Sequence, residues 1–161
     1  MNQSRFDSYR DRGTAFHEAI EPWWWNGETP KVKEVQPWID SFVAYKNLEN
    51  WRVIATELKM VDRFYKIAGT ADLIIQHKRN NRIALCDYKT KEEKFSKQNH
   101  RAQMGGYLSL MQCAYPNFHI DTVIIYWITP KETTSNNYDV LDCLKRYEQA
   151  RNDYFSKQNT F

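Results

Sequence analysis

Asp87-Tyr88-Lys89 ends a run, Arg82 to Lys89, that otherwise reads Ile-Ala-Leu-Cys. The twofold alternation of an extended chain puts Asp87 and Lys89 on one face and Tyr88 on the other, so a carboxylate and an ammonium share one surface. Burying such a pair for packing alone is costly. Two readings stand at this point: a salt-bridged or solvated strand end, or a working acid and cation. Asp72 bears on the choice. It follows Gly69-Thr70-Ala71 in an extended run one short turn before that of Asp87, so adjacent strands bring both carboxylates to one edge. Two hard oxygen donors a few ångströms apart suit Mg²⁺ or Mn²⁺, which offsets their repulsion and leaves positions open for water. His17 offers a nitrogen ligand from the first helix and accommodates Mn²⁺. Taken singly, His17 also reads as a core or surface histidine, and Asp72 as a turn or cap residue.

The elements that must position these groups follow from periodicity. Phe6, Tyr9, Gly13, Phe16, His17 and Ile20 recur at spacings of three and four and predict a helix over the first 25 residues, with Pro22 near its stop. Trp38, Phe42 and Tyr45 mark a second helix, from about Gln36 to Glu49. The tryptophans at 23–25 cannot all face one side, which makes one of them a candidate stacking or interface residue, though core packing accounts for any one alone. Strands are expected at Val53–Met60, Phe64–Ala68, Ala71–Gln76 and Arg82–Lys89, the last after an Asn80-Asn81 turn. Gln98 to Ala114 reads as a helix with Met104, Tyr107, Leu108 and Met111 on its apolar face. A last central strand, 121–129, and an amphipathic helix, 139–156, complete the pattern. This order predicts an α/β fold with a mixed sheet and helices on its faces.

A chain of 161 residues fits one compact domain spanning 1–161. With 42% hydrophobic and 27% charged residues and only five Gly and five Pro, collagen-like, low-complexity and wholly disordered classes are excluded. The longest apolar run, Val123 to Ile128, is far too short for a membrane helix, and the amino terminus has no apolar signal core. No membrane partner and a cytoplasmic location are therefore expected. Cys86, Cys113 and Cys143 are widely spaced with no CxxC pair, which argues for buried small hydrophobes over a disulfide framework or metal cage. Net charge is only +3, but its distribution is uneven: His77 to Arg101 carries +5 and the remainder −2. Such a window permits a phosphate-facing edge through Lys78, Arg79, Lys91, Lys94, Lys97 and Arg101, a solvated charged face being the alternative.

Five pieces in order, each in a fitting helix or strand, carry a resemblance: Arg12-Gly13-Thr14-Ala15-Phe16-His17-Glu18, Ala55-Thr56-Glu57, Ala68-Gly69-Thr70-Ala71-Asp72-Leu73-Ile74, Cys86-Asp87-Tyr88-Lys89-Thr90 and Gln103-Met104-Gly105-Gly106-Tyr107. Together they span 12–107. The sequence resembles the PD-(D/E)xK nuclease superfamily, specifically its RecB-like exonuclease branch, which includes the mitochondrial genome maintenance exonucleases. The resemblance implies a restriction-endonuclease-like core. It makes His17, Asp72, Asp87 and the backbone carbonyl of Tyr88 metal ligands, and Lys89, with Asp72 and Asp87, the catalytic set. Gln103 and Tyr107 brace the site from a helix, and Glu57 takes a supporting position. Relatives with an iron–sulfur centre carry one upstream cysteine and a downstream cysteine cluster; the cysteines here do not follow that pattern, so no iron–sulfur cluster is expected.

The implied function is a Mg²⁺- or Mn²⁺-dependent DNA exonuclease acting on single-stranded or frayed ends, with DNA repair or recombination as its setting. A structure-specific endonuclease is the second expectation. A noncatalytic DNA-binding or assembly protein on a nuclease-like fold is the third.

Overall fold

The structure, a computed structural model, describes residues 3–92 and 100–158. Helix α1 runs Gln3–Asn26, close to the expected span, with Pro22 inside its last turns. It closes at Gly27, whose φ of +74° permits the left-handed turn and whose N–H reaches the Trp23 carbonyl at 2.9 Å. Helix α2, Gln36–Val43, starts with a proline in its first turn and stops earlier than expected. Tyr45 is extended, and a short 3₁₀ helix, Lys46–Asn50, takes up the rest of the expected segment.

Five strands follow, β1 Trp51–Asp62, β2 Ile67–His77, β3 Ile83–Thr90, β4 Thr122–Ile128 and β5 Thr133–Tyr138, with helix α3, Arg101–Ala114, between β3 and β4 and helix α4, Val140–Gln158, at the end. They form one sheet in the order β1-β2-β3-β4-β5, in which β3 and β4 are parallel and the other neighbours antiparallel. The mixed sheet is as expected, with two corrections. Phe64–Ala68 is not a separate strand: Phe64 and Tyr65 sit in the β1–β2 turn, where Asp62 Oδ1 accepts both their N–H groups at 2.8 and 3.0 Å, and Ala68 belongs to β2. An aspartate that can cap two successive amides outweighs the strand preference of two aromatics. Conversely, β5 was not expected, because Thr-Thr-Ser-Asn-Asn-Tyr shows no apolar alternation; as an edge strand it pairs on one side only.

Alternation on the central strands builds two cores. Leu73, Ile75, Cys86, Tyr88 and Tyr126 pack with Phe16, Ile20, Ile39 and Phe42 of α1 and α2. On the other face Ile74, Leu85, Val123 and Ile125 pack with Met104, Leu108 and Met111 of α3 and Cys143 of α4. Burial of both faces holds β2, β3 and β4 in register, since a slip by one residue would exchange the two cores. Helices α3 and α4 approach so closely at Gly105 that a β-carbon there would collide with the Cys143 carbonyl. Cys86 and Cys143 are buried as expected, but Cys113 is exposed, its thiol turned to Asp62 Oδ2 at 3.4 Å. Among the described residues no helix is long and apolar enough to cross a membrane.

Candidate metal centre and its lysine

The ladder between β2 and β3 ends at Leu73↔Cys86, and the next position on each strand is an aspartate, Asp72 and Asp87. In place of a further rung, Asp72 Oδ2 accepts the Tyr88 N–H at 3.0 Å. Tyr88 is anchored from the opposite core, where its hydroxyl accepts the Trp24 Nε1–H at 2.7 Å. The peptide joining Asp87, Tyr88 and Lys89 is therefore fixed from both sides of the sheet.

His17 enters from α1, its ring edge-on to Tyr88 with centroids 5.2 Å apart. Its Nδ1 lies 3.6 Å from Asp72 Oδ1 and 3.3 Å from Glu57 Oε1. Glu57 stands in β1 between Thr56 and Leu58, whose partners in β2 flank Asp72, and has a φ of +47°. Left-handed backbone at a non-glycine residue costs about 1–3 kcal/mol and persists only where the surroundings impose it. Here it accompanies a carboxylate placed directly in the cluster: ligand atoms of His17, Glu57 and Asp72 all lie within 4.8 Å of one another. The structure thus places Glu57 closer in than the supporting position expected for it. The signal in the sequence was a lone acid amid an apolar run, facing Asp72 in register.

Asp87 has a different partner. It is 2% exposed, and Lys89 Nζ lies 2.6 Å from its Oδ2, although without hydrogen-bond alignment, so this oxygen has no aligned donor. Lys89 Nζ instead donates to Gln103 Oε1 at 3.2 Å, and Gln103 Nε2 donates to the Tyr107 hydroxyl at 3.0 Å. Gln103 and Tyr107, four apart on α3, present both groups on one helix face.

Electrostatics acts strongly on Asp72. Burial, and then the charge of Asp87, push the Asp72 carboxyl up to about 7, against the opposing pull of His17 and the Tyr88 N–H. Lys91 is pulled down by its burial and by Lys89 and Arg12 beside it; His100 is lowered likewise by burial and Lys89. Arg12, to which the sequence reading assigned no role, bonds the Thr90 carbonyl at 3.2 Å, pairs with Glu92 and lies over the Trp38 ring, tying the end of β3 to α1 and α2. In the sequence Arg12 falls between Tyr9 and Phe16 at helical spacing, a cation within an otherwise apolar periodicity.

The basic window is not one surface. Lys78 and Arg79 occupy the β2–β3 turn at the opposite end of β3 from Lys89, and the strand spans roughly 23 Å. Lys78 Nζ donates to the Glu49 carbonyl at 2.8 Å, and the Arg79 N–H reaches His77 Nδ1 at 3.3 Å. Hairpin geometry separates residues that sequence distance groups together. Arg101 pairs with Asp142 of α4 at 2.8 Å and lies over Tyr138. Lys91 remains beside Lys89; Lys94 and Lys97 fall outside the described residues.

The donor set, one imidazole nitrogen and carboxylate oxygens, is that of a hard divalent cation such as Mg²⁺ or Mn²⁺. Two features of the chain fit such an ion: acids crowded until Asp72 resists ionisation, and a buried Asp87 oxygen without an aligned donor. The arrangement sets a candidate cation-binding cluster beside a lysine, a constellation consistent with metal-assisted cleavage of a phosphodiester.

A solved structure titled "Crystal structure of SSO0001" is similar over 97% of this chain and 70% of its own, at 21% identity and a TM-score of 0.44. Among curated proteins none matches significantly. The family model of the PD-(D/E)XK nuclease superfamily matches residues 35–158, well over half of the chain, and the protein belongs to that superfamily.

Proposed function

We propose that this protein is a divalent-metal-dependent deoxyribonuclease of the RecB-like exonuclease branch, hydrolysing phosphodiester bonds at single-stranded or frayed DNA ends. The observation that carries the reading is the gathering of His17, Glu57 and Asp72 within 4.8 Å where β2 and β3 part, beside the pairing of Asp87 with Lys89. His17 lies before the residues matched by the family, so its inclusion rests on this geometry and on the motif around it.

His17, Asp72 and Asp87, with the Tyr88 carbonyl, would hold Mg²⁺ or Mn²⁺, and Glu57 is near enough to join them. When bound, the ion supplies positive charge against the phosphate and makes water more acidic. Lys89, steered by Gln103, orients the attacking water or offsets charge building on the phosphoryl oxygens. Asp72 also holds the Tyr88 peptide, so it keeps the site in shape as well as binding. Lys91 adds positive charge beside Lys89.

End-labelled linear DNA and closed circular DNA, each incubated with Mg²⁺, Mn²⁺ or EDTA, test the reading. Progressive loss of the linear substrate with either ion, an intact circle and no reaction in EDTA are expected. A cut circle moves the assignment to endonuclease. DNA binding without cleavage under every ion replaces it with a noncatalytic role.

A further inference from the structure

We propose that Trp25 is a stacking platform for an unpaired base of the bound strand, at the end of the groove leading away from His17 and Glu57. The inference rests on the nuclease reading and names the contact through which the site would hold DNA whose bases are unpaired. Thr14, Glu18, Glu21 and Trp25 recur every three or four residues and form one stripe of α1. With Gly13, His17 and Glu57, the first three line an open groove of about 410 Å³. Trp25 continues the stripe two helical turns beyond His17, roughly 12 Å along the axis.

Its neighbours in the tryptophan triple turn inward. Trp23 meets Phe42 edge-on at 5.9 Å, and Trp24 bonds the Tyr88 hydroxyl. Trp25 is 58% exposed, yet its orientation is set: Nε1–H donates to Thr56 Oγ1 at 3.1 Å, and the Thr56 hydroxyl donates to Glu21 Oε1 at 2.9 Å. Solitary exposed apolar residues are common on proteins. What sets this one apart is a tether through the indole edge, with much of the side chain left to solvent, on the residue before Glu57. Charge fixes which part of a strand would meet it. Glu18 and Glu21 make the α1 wall of the groove acidic and repel phosphates there, whereas Lys89 and Lys91 lie on the β3 side. A strand with its phosphates toward the lysines turns its bases toward α1. A closed duplex keeps its base faces stacked on one another; a single strand offers them to an indole.

Binding of a fluorescein-labelled oligothymidylate in EDTA, where metal-dependent cleavage is suppressed, tests the platform with wild type, Trp25→Ala and Trp25→Phe. Trp25→Ala should weaken binding about tenfold, and Trp25→Phe should recover most of the loss. The slope of log affinity against log salt should not change, because no phosphate contact is lost. An oligomer of abasic residues should bind wild type and Trp25→Ala alike. Unaltered affinity in a Trp25→Ala chain with wild-type circular dichroism, an equal loss on the abasic oligomer, or no binding of the oligomer by wild type overturns the proposal. Wild-type cleavage with Mg²⁺ alongside unaltered Trp25→Ala binding removes the platform and leaves the nuclease reading intact. Base-dependent binding through Trp25 with no cleavage under any ion keeps the platform and removes the nuclease.

Discussion

Asp72 and Asp87 are the same residue type at facing positions of adjacent strands, yet they live in opposite surroundings. Asp72 belongs to a cluster with Glu57 and His17, and burial beside Asp87 pushes its carboxyl up to about 7. Asp87, more deeply buried, has Lys89 at 2.6 Å, and that lysine is in turn held by Gln103. One side of the parted strands is short of positive charge; the other carries its own. A buried acid without a countercharge is unstable as the anion, and a cation from solution relieves that. On the proposed reading both aspartates face the ion, Asp72 within the cluster that lacks its own cation and Asp87 beside the lysine that would act on the substrate.

Removing the charge of either aspartate is expected to have the largest effect. Asp72→Asn, nearly equal in volume, should lower cleavage by at least about 10²-fold and weaken Mn²⁺ binding in calorimetric titration, with the fold retained. Asp87→Asn should lose a similar factor in cleavage. A folded variant of either kind with wild-type metal affinity and turnover ends that aspartate's assignment.

On the substrate side, Lys89→Ala should cut single-turnover cleavage by about 10²-fold while changing DNA affinity much less, because a charge aimed at the transition state adds little to ground-state binding. If binding falls and turnover survives, Lys89 is a phosphate anchor and the two sides differ in charge alone.

The comparison also has a pH signature. A carboxyl whose pKa is higher in the folded than in the unfolded chain binds more protons when folded, so its contribution to stability falls as pH rises from about 4 to about 7. Without divalent ion, Asp72→Asn should therefore melt higher than wild type at pH 8, by about 3 °C or more, and by less at pH 5. Added Mn²⁺ should raise the wild-type melting temperature at pH 8 and leave the variant nearly unmoved. Parallel melting curves across this range would place Asp72 in an ordinary carboxylate environment.

The smallest effects concern the basic window. Neutralising Lys94 and Lys97 should flatten the salt dependence of single-strand affinity by roughly 0.7 per lost contact, whereas neutralising Lys78 and Arg79, at the far end of β3, should leave the slope unchanged. The reverse outcome would put the DNA path along the β2–β3 turn.

Much of this was legible in one dimension. The alternation of β2, β3 and β4, the α3 face carrying Gln103 and Tyr107, and the offset of Asp87 from Lys89 are local properties, set by side-chain period and readable residue by residue. The β5 edge was not, since a strand that buries little needs no apolar pattern and exists because β4 offers it a ladder. Phe64 and Tyr65 misled for the converse reason: their strand preference yielded to a turn capped by Asp62, leaving Phe64 84% exposed.

By itself the sequence determined which groups are available: the acids, the histidine, the lysine, and the strands and helices that carry them, because these depend on residue type and short-range period. Only the tertiary structure decided how they are shared out. That Glu57 joins His17 and Asp72, that Asp72 comes to face Asp87, and that Gln103 reaches Lys89 all depend on strand register and on how α1 and α3 lie against the sheet. Those distances are fixed by packing two cores through the same three strands, a condition satisfied by the whole chain at once and written in no single segment of it.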